Sequence, residues 1–245
     1  MPLDAGGRLA SGFENPSKEE NMNDKTVLLV LTSHDDLAGL RKTGYYVGEA
    51  AHPWQQLTDA GYRVEIASIA GGEPPQDGRD ETDEIQNAFL ADPSIAAQLA
   101  DTPKLADVDA NRYAAVLFVG GHGTMWDFPD NPAVNLTGRT VYERGGVVAA
   151  VCHGPSALVG ITLSDGTPLV SGKRVAGFTN AEEEAVELTG VVPFLLADAL
   201  EEKGATHVPG PDFTEQVVVD GRLVTGQNPQ SATRVGRELV TLLSA

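Results

Sequence analysis

The sequence predicts an α/β protein built on a doubly wound, mostly parallel sheet. Three observations predict it. Strand-length runs are continuously apolar and rich in β-branched residues, the pattern of strands buried on both faces. Helical stretches lie between those runs. A tight hairpin signal, Asp220-Gly221, comes late in the chain and adds an antiparallel edge.

The elements follow in order. Thr26 to Ser33 (TVLLVLTS) is the first strand, bounded by polar residues. Val47 to Ala60 reads as a helix, and Tyr62 to Ser68 as the second strand. Residues 71–109, rich in Asp, Pro and Gly, are too many for a simple connection. They read as an excursion, with a short helix at Ser94 to Ala100, that can cover the strand ends where such folds bind ligands. Tyr113 to Gly120 (YAAVLFVG) is the third strand, and Ala133 to Arg144 the next helix. Gly146 to Val151 is the fourth strand and Arg174 to Phe178 the fifth. Helices are expected over Ala181 to Leu188 and Val192 to Lys203. Gln216 to Val219 and Arg222 to Thr225 form the hairpin, and Ser231 to Leu243 closes the chain as a helix.

Composition narrows the function. With 17 Lys and Arg against 35 Asp and Glu, the net charge of −18 opposes binding to nucleic acid or to an anionic membrane. No apolar run is long enough to span a bilayer. A single cysteine excludes an intramolecular disulfide and fits a reducing compartment, the cytoplasm. Residues 1–25 carry no apolar segment of signal-peptide type and read as a polar, mobile extension before the first strand.

That one cysteine is the most informative residue. Cys152 ends the apolar run of GGVVAAVCHGP and is followed by His153, Gly154 and Pro155. The pattern places a thiol at the tip of a strand-to-helix turn, like a nucleophile elbow with Cys in place of Ser. A neighbouring imidazole and a helix N-terminus favour the thiolate, and such thiols have pKa values of roughly 3.5–7.5. A buried Cys serving as a small hydrophobe is the bland alternative. Three other segments converge on the same sheet edge. Gly120-Gly121-His122-Gly123 follows the third strand, and glycines there let backbone amides approach an oxyanion. Glu49, among small and apolar residues, would be desolvated if it faced the sheet, which suits it to proton transfer. Glu182, Glu183 and Glu184 follow the fifth strand. Successive helical side chains point about 100° apart, so one of the three can face His153 while the others reach solvent. No ligand set with metal spacing stands out, and no cofactor motif.

The segments KTGYYVGEAAHPW, AGGEPPQD, GGHGTMWDFPDN, GGVVAAVCHGP, GKRVAGFTNAEE and DGRLVTGQNPQSA resemble the ThiJ/PfpI superfamily, within it the branch of glutathione-independent glyoxalases (glyoxalase III) and heat-shock chaperones. The resemblance runs from about residue 26 to 245 and implies a single domain there. It implies a flavodoxin-like sandwich related to class I glutamine amidotransferase domains, and conversion of methylglyoxal to D-lactate without glutathione, cofactor or metal. By it, Cys152 matches the nucleophile, His153 the adjacent base, Glu49 the carboxylate that moves protons, and Glu183 the triad-type acid. Gly121 and the His153 backbone match the oxyanion-binding amides. Asn180 stands where the branch has Asp after Phe-Thr. The histidine and glutamate set of the longer, metal-binding bacterial chaperones is not seen. His122 and Trp126 are expected to shape the pocket. His52 is expected to be structural or at a subunit contact, His34 to lie on a loop near the site, and His207 on the surface. A homodimer acting on a small 2-oxoaldehyde is implied. A cysteine peptidase or amidase, and a holdase chaperone or oxidative-stress protein, are the competing functions.

Overall fold

The computed structural model describes residues 26–245, so the polar extension expected over residues 1–25 lies outside the described residues. Strand β1 (Thr26–Leu31) is buried at every position, as a central parallel strand must be. After β2 (Tyr45–Tyr46) comes helix α1 (Val47–Asp59), then β3 (Arg63–Ser68), β4 (Gln76–Asp77), α2 (Glu84–Ala91) and α3 (Pro93–Ala100). The chain continues through β5 (Ala115–Phe118), α4 (Thr124–Asp127), α5 (Pro132–Glu143), β6 (Val147–Val151) and α6 (Ser156–Gly160). It ends with β7 (Arg174–Val175), α7 (Asn180–Ala185), α8 (Leu196–Glu202), β8 (Thr206–His207), β9 (Val217–Asp220), β10 (Leu223–Gly226) and α9 (Ala232–Leu243).

The main sheet has the order β3-β1-β5-β6-β10-β9, parallel throughout except for the β10–β9 hairpin. This is the doubly wound arrangement. From β1 the chain winds one way to β3, and from β5 the other way to β6. Right-handed crossovers therefore put α1 and α5 on opposite faces. Helix α9 packs on α1, so closely that a Cβ on Gly236 would come within 2.8 Å of Pro53 Cα. The strand order reverses beside β5, and the C-terminal ends of β5 and β6 open onto that crevice, where ligands bind in such sheets.

Two expectations are corrected. The fifth strand is only Arg174–Val175, and it pairs with Thr206–His207 in a separate two-stranded sheet. The following amides have other partners: Ala176 donates to Thr225 Oγ1 at 2.8 Å, and Phe178 to the Cys152 carbonyl at 2.9 Å. The excursion also holds a helix that was not foreseen, α2, with Asp83 as its N-cap accepting from Ile85 and Gln86. Asp92-Pro93 then separates it from α3. Both ends of the excursion reach the sheet edge: near its close the Pro103 carbonyl accepts from Ser68, the last residue of β3, at 3.2 Å, and its start lies beside Tyr45. There Tyr45 donates to the Pro75 carbonyl, and Tyr46 to the Gly120 carbonyl at 3.0 Å. No described helix is long and apolar enough to cross a membrane.

Candidate active site

Strand β6 delivers Cys152 into a turn with φ of +60°, a left-handed conformation costly for any side chain bearing a Cβ. The surroundings hold it there. Its amide donates to the Gly226 carbonyl at 2.9 Å and its carbonyl accepts from Phe178. Gly154 lies so near the Phe118 carbonyl that a Cβ would overlap it. The elbow expected from the sequence is present.

His153 is fully buried, with Nδ1 3.4 Å from Cys152 Sγ and Nε2 2.8 Å from Glu183 Oε2. Glu183 is therefore the acid of the three that faces the imidazole. Its other oxygen, Oε1, is 3.1 Å from His122 Nε2. Burial raises the Glu183 pKa, but hydrogen bonds from both imidazoles overcome this and hold it at about 2. Burial, and then the nearness of His122, lower His153 to about 4.

Glu49 projects from the first turn of α1 and is fully buried. Neither carboxyl oxygen has a hydrogen-bond partner among the described residues. It faces the thiol of Cys152 and the amide of Gly120 without meeting hydrogen-bond geometry. Burial pushes its pKa well up. The Cys152 thiol is also pushed well up, by burial first and then by the Glu49 charge. This corrects the expected depression of the thiol pKa. Reasoning from the turn alone counted the imidazole and the helix, and omitted desolvation and a carboxylate from another element. Moreover, α6 has only five residues, too short to supply much dipole. Two negative charges in this pocket are mutually unfavourable, so Glu49 and Cys152 share a proton.

Gly121 takes φ of +107° and passes so close to the Gly44 carbonyl that no side chain fits. Thr124 was not foreseen. Its hydroxyl lies 2.9 Å from the Gly121 carbonyl and 3.0 Å from that of His153, tying the Gly-rich turn to the cysteine turn. Glu182 was expected in solvent and is fully buried. It accepts from Thr179 N at 3.0 Å, Phe213 N at 2.8 Å and Asn228 Nδ2 at 2.8 Å. The Thr179-x-x-Glu182 capping box was the available signal. Glu184 is exposed, as expected.

Trp126 stacks on His34 with ring centroids 4.9 Å apart, and lines a cavity with Met125, Asp127, Pro193 and Phe194. Cys152, His153 and Glu49 are not in that lining. His52 is structural, bridging Thr233 of α9 at 2.9 Å and Asp83 at 2.8 Å. His207 is half-buried at the surface, 3.2 Å from the Gly177 carbonyl. The fold also assembles a set that spacing did not reveal. Ligand atoms of His122, His153 and Glu183 lie within 4.8 Å of one another. Both imidazoles already bond to Glu183, so as arranged the three form a hydrogen-bonded relay.

The DJ-1/PfpI family model matches residues 42–242. "Glyoxalase 3" of Candida albicans is 34% identical over 232 residues, covering 87% of this chain and 96% of the relative. The "Glutathione-independent glyoxalase HSP31" of Saccharomyces cerevisiae is 34% identical over 228 residues, covering 86% and 94%. The crystal structure of glyoxalase III from Candida albicans superposes with a TM-score of 0.83 at 31% identity, over 90% of this chain and 98% of that one.

Proposed function

The chain belongs to the DJ-1/PfpI family, and from that premise we propose that it is a glutathione-independent glyoxalase, converting methylglyoxal and related 2-oxoaldehydes to 2-hydroxy acids. The carrying observation is the placement of Cys152. The chain's one thiol stands on a strained elbow between a buried, unpartnered carboxyl group and an imidazole backed by a carboxylate.

The chemistry follows from those groups. The Cys152 thiolate adds to the aldehyde carbon; the S–C bond forms and the carbonyl electron pair moves to oxygen, giving a hemithioacetal. The Gly121 and His153 amides receive that oxyanion. Glu49 passes the shared proton to that oxyanion and, now ionised, takes the hydrogen of the thiol-bearing carbon as a proton. The electron pair left behind forms the C=C bond of an enediolate, the hydroxyl proton of the thiol-bearing carbon passes to the neighbouring oxygen, and Glu49 returns its proton to the neighbouring carbon. One carbon is oxidised and its neighbour reduced, so no external oxidant or cofactor is required. The product is a thioester. Water, assisted by His153, adds to it, and the sulfur leaves with a proton. Glu49 suits the carbon-to-carbon transfer because burial raises its pKa, whereas His153, at about 4, holds a proton poorly. The protein's own thiol does what glutathione does in a two-step pathway.

Protonation from one fixed group delivers one enantiomer, and this reading makes it D-lactate, the product of a hydro-lyase. It also makes the protein a cytoplasmic homodimer working without metal. Purified protein incubated with methylglyoxal, without glutathione, should yield D-lactate by chiral analysis. Absence of lactate overturns the reading. A chelator should leave the rate unchanged, and a loss restored by zinc would refute metal-free catalysis.

A further inference from the structure

Glu183 serves two imidazoles, and only one of them faces the thiol. Oε2 is 2.8 Å from His153 Nε2, and Oε1 is 3.1 Å from His122 Nε2. The two rings lie 4.0 Å apart between centroids, tilted by 39°. The His122 side chain is 14% exposed, whereas those of His153 and Glu183 are 0% and 3% exposed, so His122 closes the cluster toward solvent. It comes from the turn after β5, a different element from either of its neighbours.

Proton accounting assigns the tautomers. Glu183 is ionised, so it only accepts, and both Nε2 atoms must donate to it. A neutral imidazole that donates from Nε2 has a bare Nδ1. In His153 that bare atom is the one 3.4 Å from Cys152 Sγ, which is where a base is needed.

We propose that His122 is a positioning residue for the thiol site: its Nε2–H occupies Oε1 of Glu183 so that Oε2 alone orients His153, and its ring, 4.0 Å from that of His153, leaves no room for a second proton on the pair. This rests on the glyoxalase reading of the same site. Without His122, one carboxylate oxygen loses its donor and the group can rotate, and His153 loses the neighbour that discourages its protonation. The titratable groups facing His153 are Cys152 on its own turn, His122 across the ring stack, and Glu183 and Glu182 on α7. The two acids act in the opposite direction to His122. His153 works as a base only while neutral, so activity falls as pH drops through its pKa. Removing His122 raises that pKa and moves the acid limb to higher pH.

Two variants separate the roles. His122→Phe removes both the donor and the second imidazole, whereas His122→Gln keeps a donor without an imidazole. At neutral pH, His122→Phe should lower kcat at least ~tenfold with KM within ~threefold, and His122→Gln should recover most of the loss. Both should move the acid limb of kcat upward. A Gln variant no better than Phe refutes the geometric role, and an unmoved limb in both refutes the electrostatic one. Iodoacetamide alkylation of Cys152 against pH supplies a readout free of substrate. A more basic His153 stabilises the thiolate, so alkylation should begin at lower pH in both variants. If wild-type protein turns over no 2-oxoaldehyde, the glyoxalase reading fails, and the alkylation profile alone decides: shifted in both variants supports His122, unshifted overturns it.

Discussion

The carboxyl group of Glu49 occupies the space that a side chain on Gly120 would need: a Cβ there would overlap Glu49 Oε2 and stand 3.0 Å from Cys152 Cβ. The glycine at the end of the β5 segment thus does more than loosen a turn. Its missing side chain lets an acid from α1 and a thiol from β6 meet above one Cα atom.

Gly120→Ala should therefore disturb Glu49 and the cysteine elbow together, because the same Cβ would also overlap the Val151 carbonyl. The methyl group must displace the carboxyl group or the cysteine elbow, and overpacking of a fixed site costs about 1–3 kcal/mol. Turnover should fall at least ~tenfold, and urea unfolding should show the destabilisation. Turnover within twofold of wild type would mean that neither Glu49 nor the elbow need sit where it does.

Glu49→Gln tests the shared proton. The amide is isosteric but carries no charge, so the Glu49 contribution to the raised Cys152 pKa disappears while burial remains. The midpoint of Cys152 alkylation should move to lower pH. Turnover should nevertheless fall by ~10²–10⁴-fold, because the amide cannot carry a proton between carbons. Cys152→Ser should be inactive by a different route, with alkylation absent. An unmoved midpoint in Glu49→Gln would show that the two groups titrate independently.

The cysteine elbow was legible because its signal is local: strand, thiol, imidazole, glycine and proline are consecutive. The main strands were legible for a similar reason, since β1, β5 and β6 are apolar throughout and need no partner to be recognised. What the sequence hid is non-local. Phe178 reads as strand, yet its amide bonds to the Cys152 carbonyl instead of a ladder. Glu182 reads as one of two solvated acids flanking Glu183, yet Phe213 and Asn228 reach it from the distant chain and bury it. The thiol pKa is set first by burial and next by a carboxylate on a helix far away in sequence, and neither is local to the turn.

The three acids of α7 should now separate into three behaviours. Glu183→Gln should slow turnover at least ~tenfold with little change in KM, since it orients His153 without touching substrate. Glu182→Gln should chiefly destabilise the fold. Its carboxylate accepts three hydrogen bonds, and an amide nitrogen in place of either oxygen turns an acceptor toward a donor. Leaving one such buried donor unsatisfied costs ~1–3 kcal/mol. Glu184→Gln should be silent in both turnover and melting temperature, because its side chain is exposed. A slow Glu184→Gln, or a Glu182→Gln as stable as wild type, would contradict the assignment.

Acid should weaken the fold through His153. Its ordinary pKa of 6.5 is lowered to about 4, chiefly by burial and next by His122. The unfolded chain takes up this proton as pH falls through about 6.5, while the folded protein refuses it until about 4. A depressed folded pKa gives stability that is fully present above the unfolded value and is lost as pH falls to the folded one. The loss therefore belongs to the window between 6.5 and about 4. Two other buried acids bracket it. Glu183, held at about 2 against an ordinary 4.5, loses its contribution only at lower pH. Asp127, raised by burial from 3.8 to about 6, runs the other way and gains as pH falls. His153→Gln removes the histidine slope and leaves both acids in place. Urea unfolding at neutral pH and near pH ~5 should show wild type losing more stability than His153→Gln. Equal losses would mean that acid enters the fold somewhere other than this imidazole.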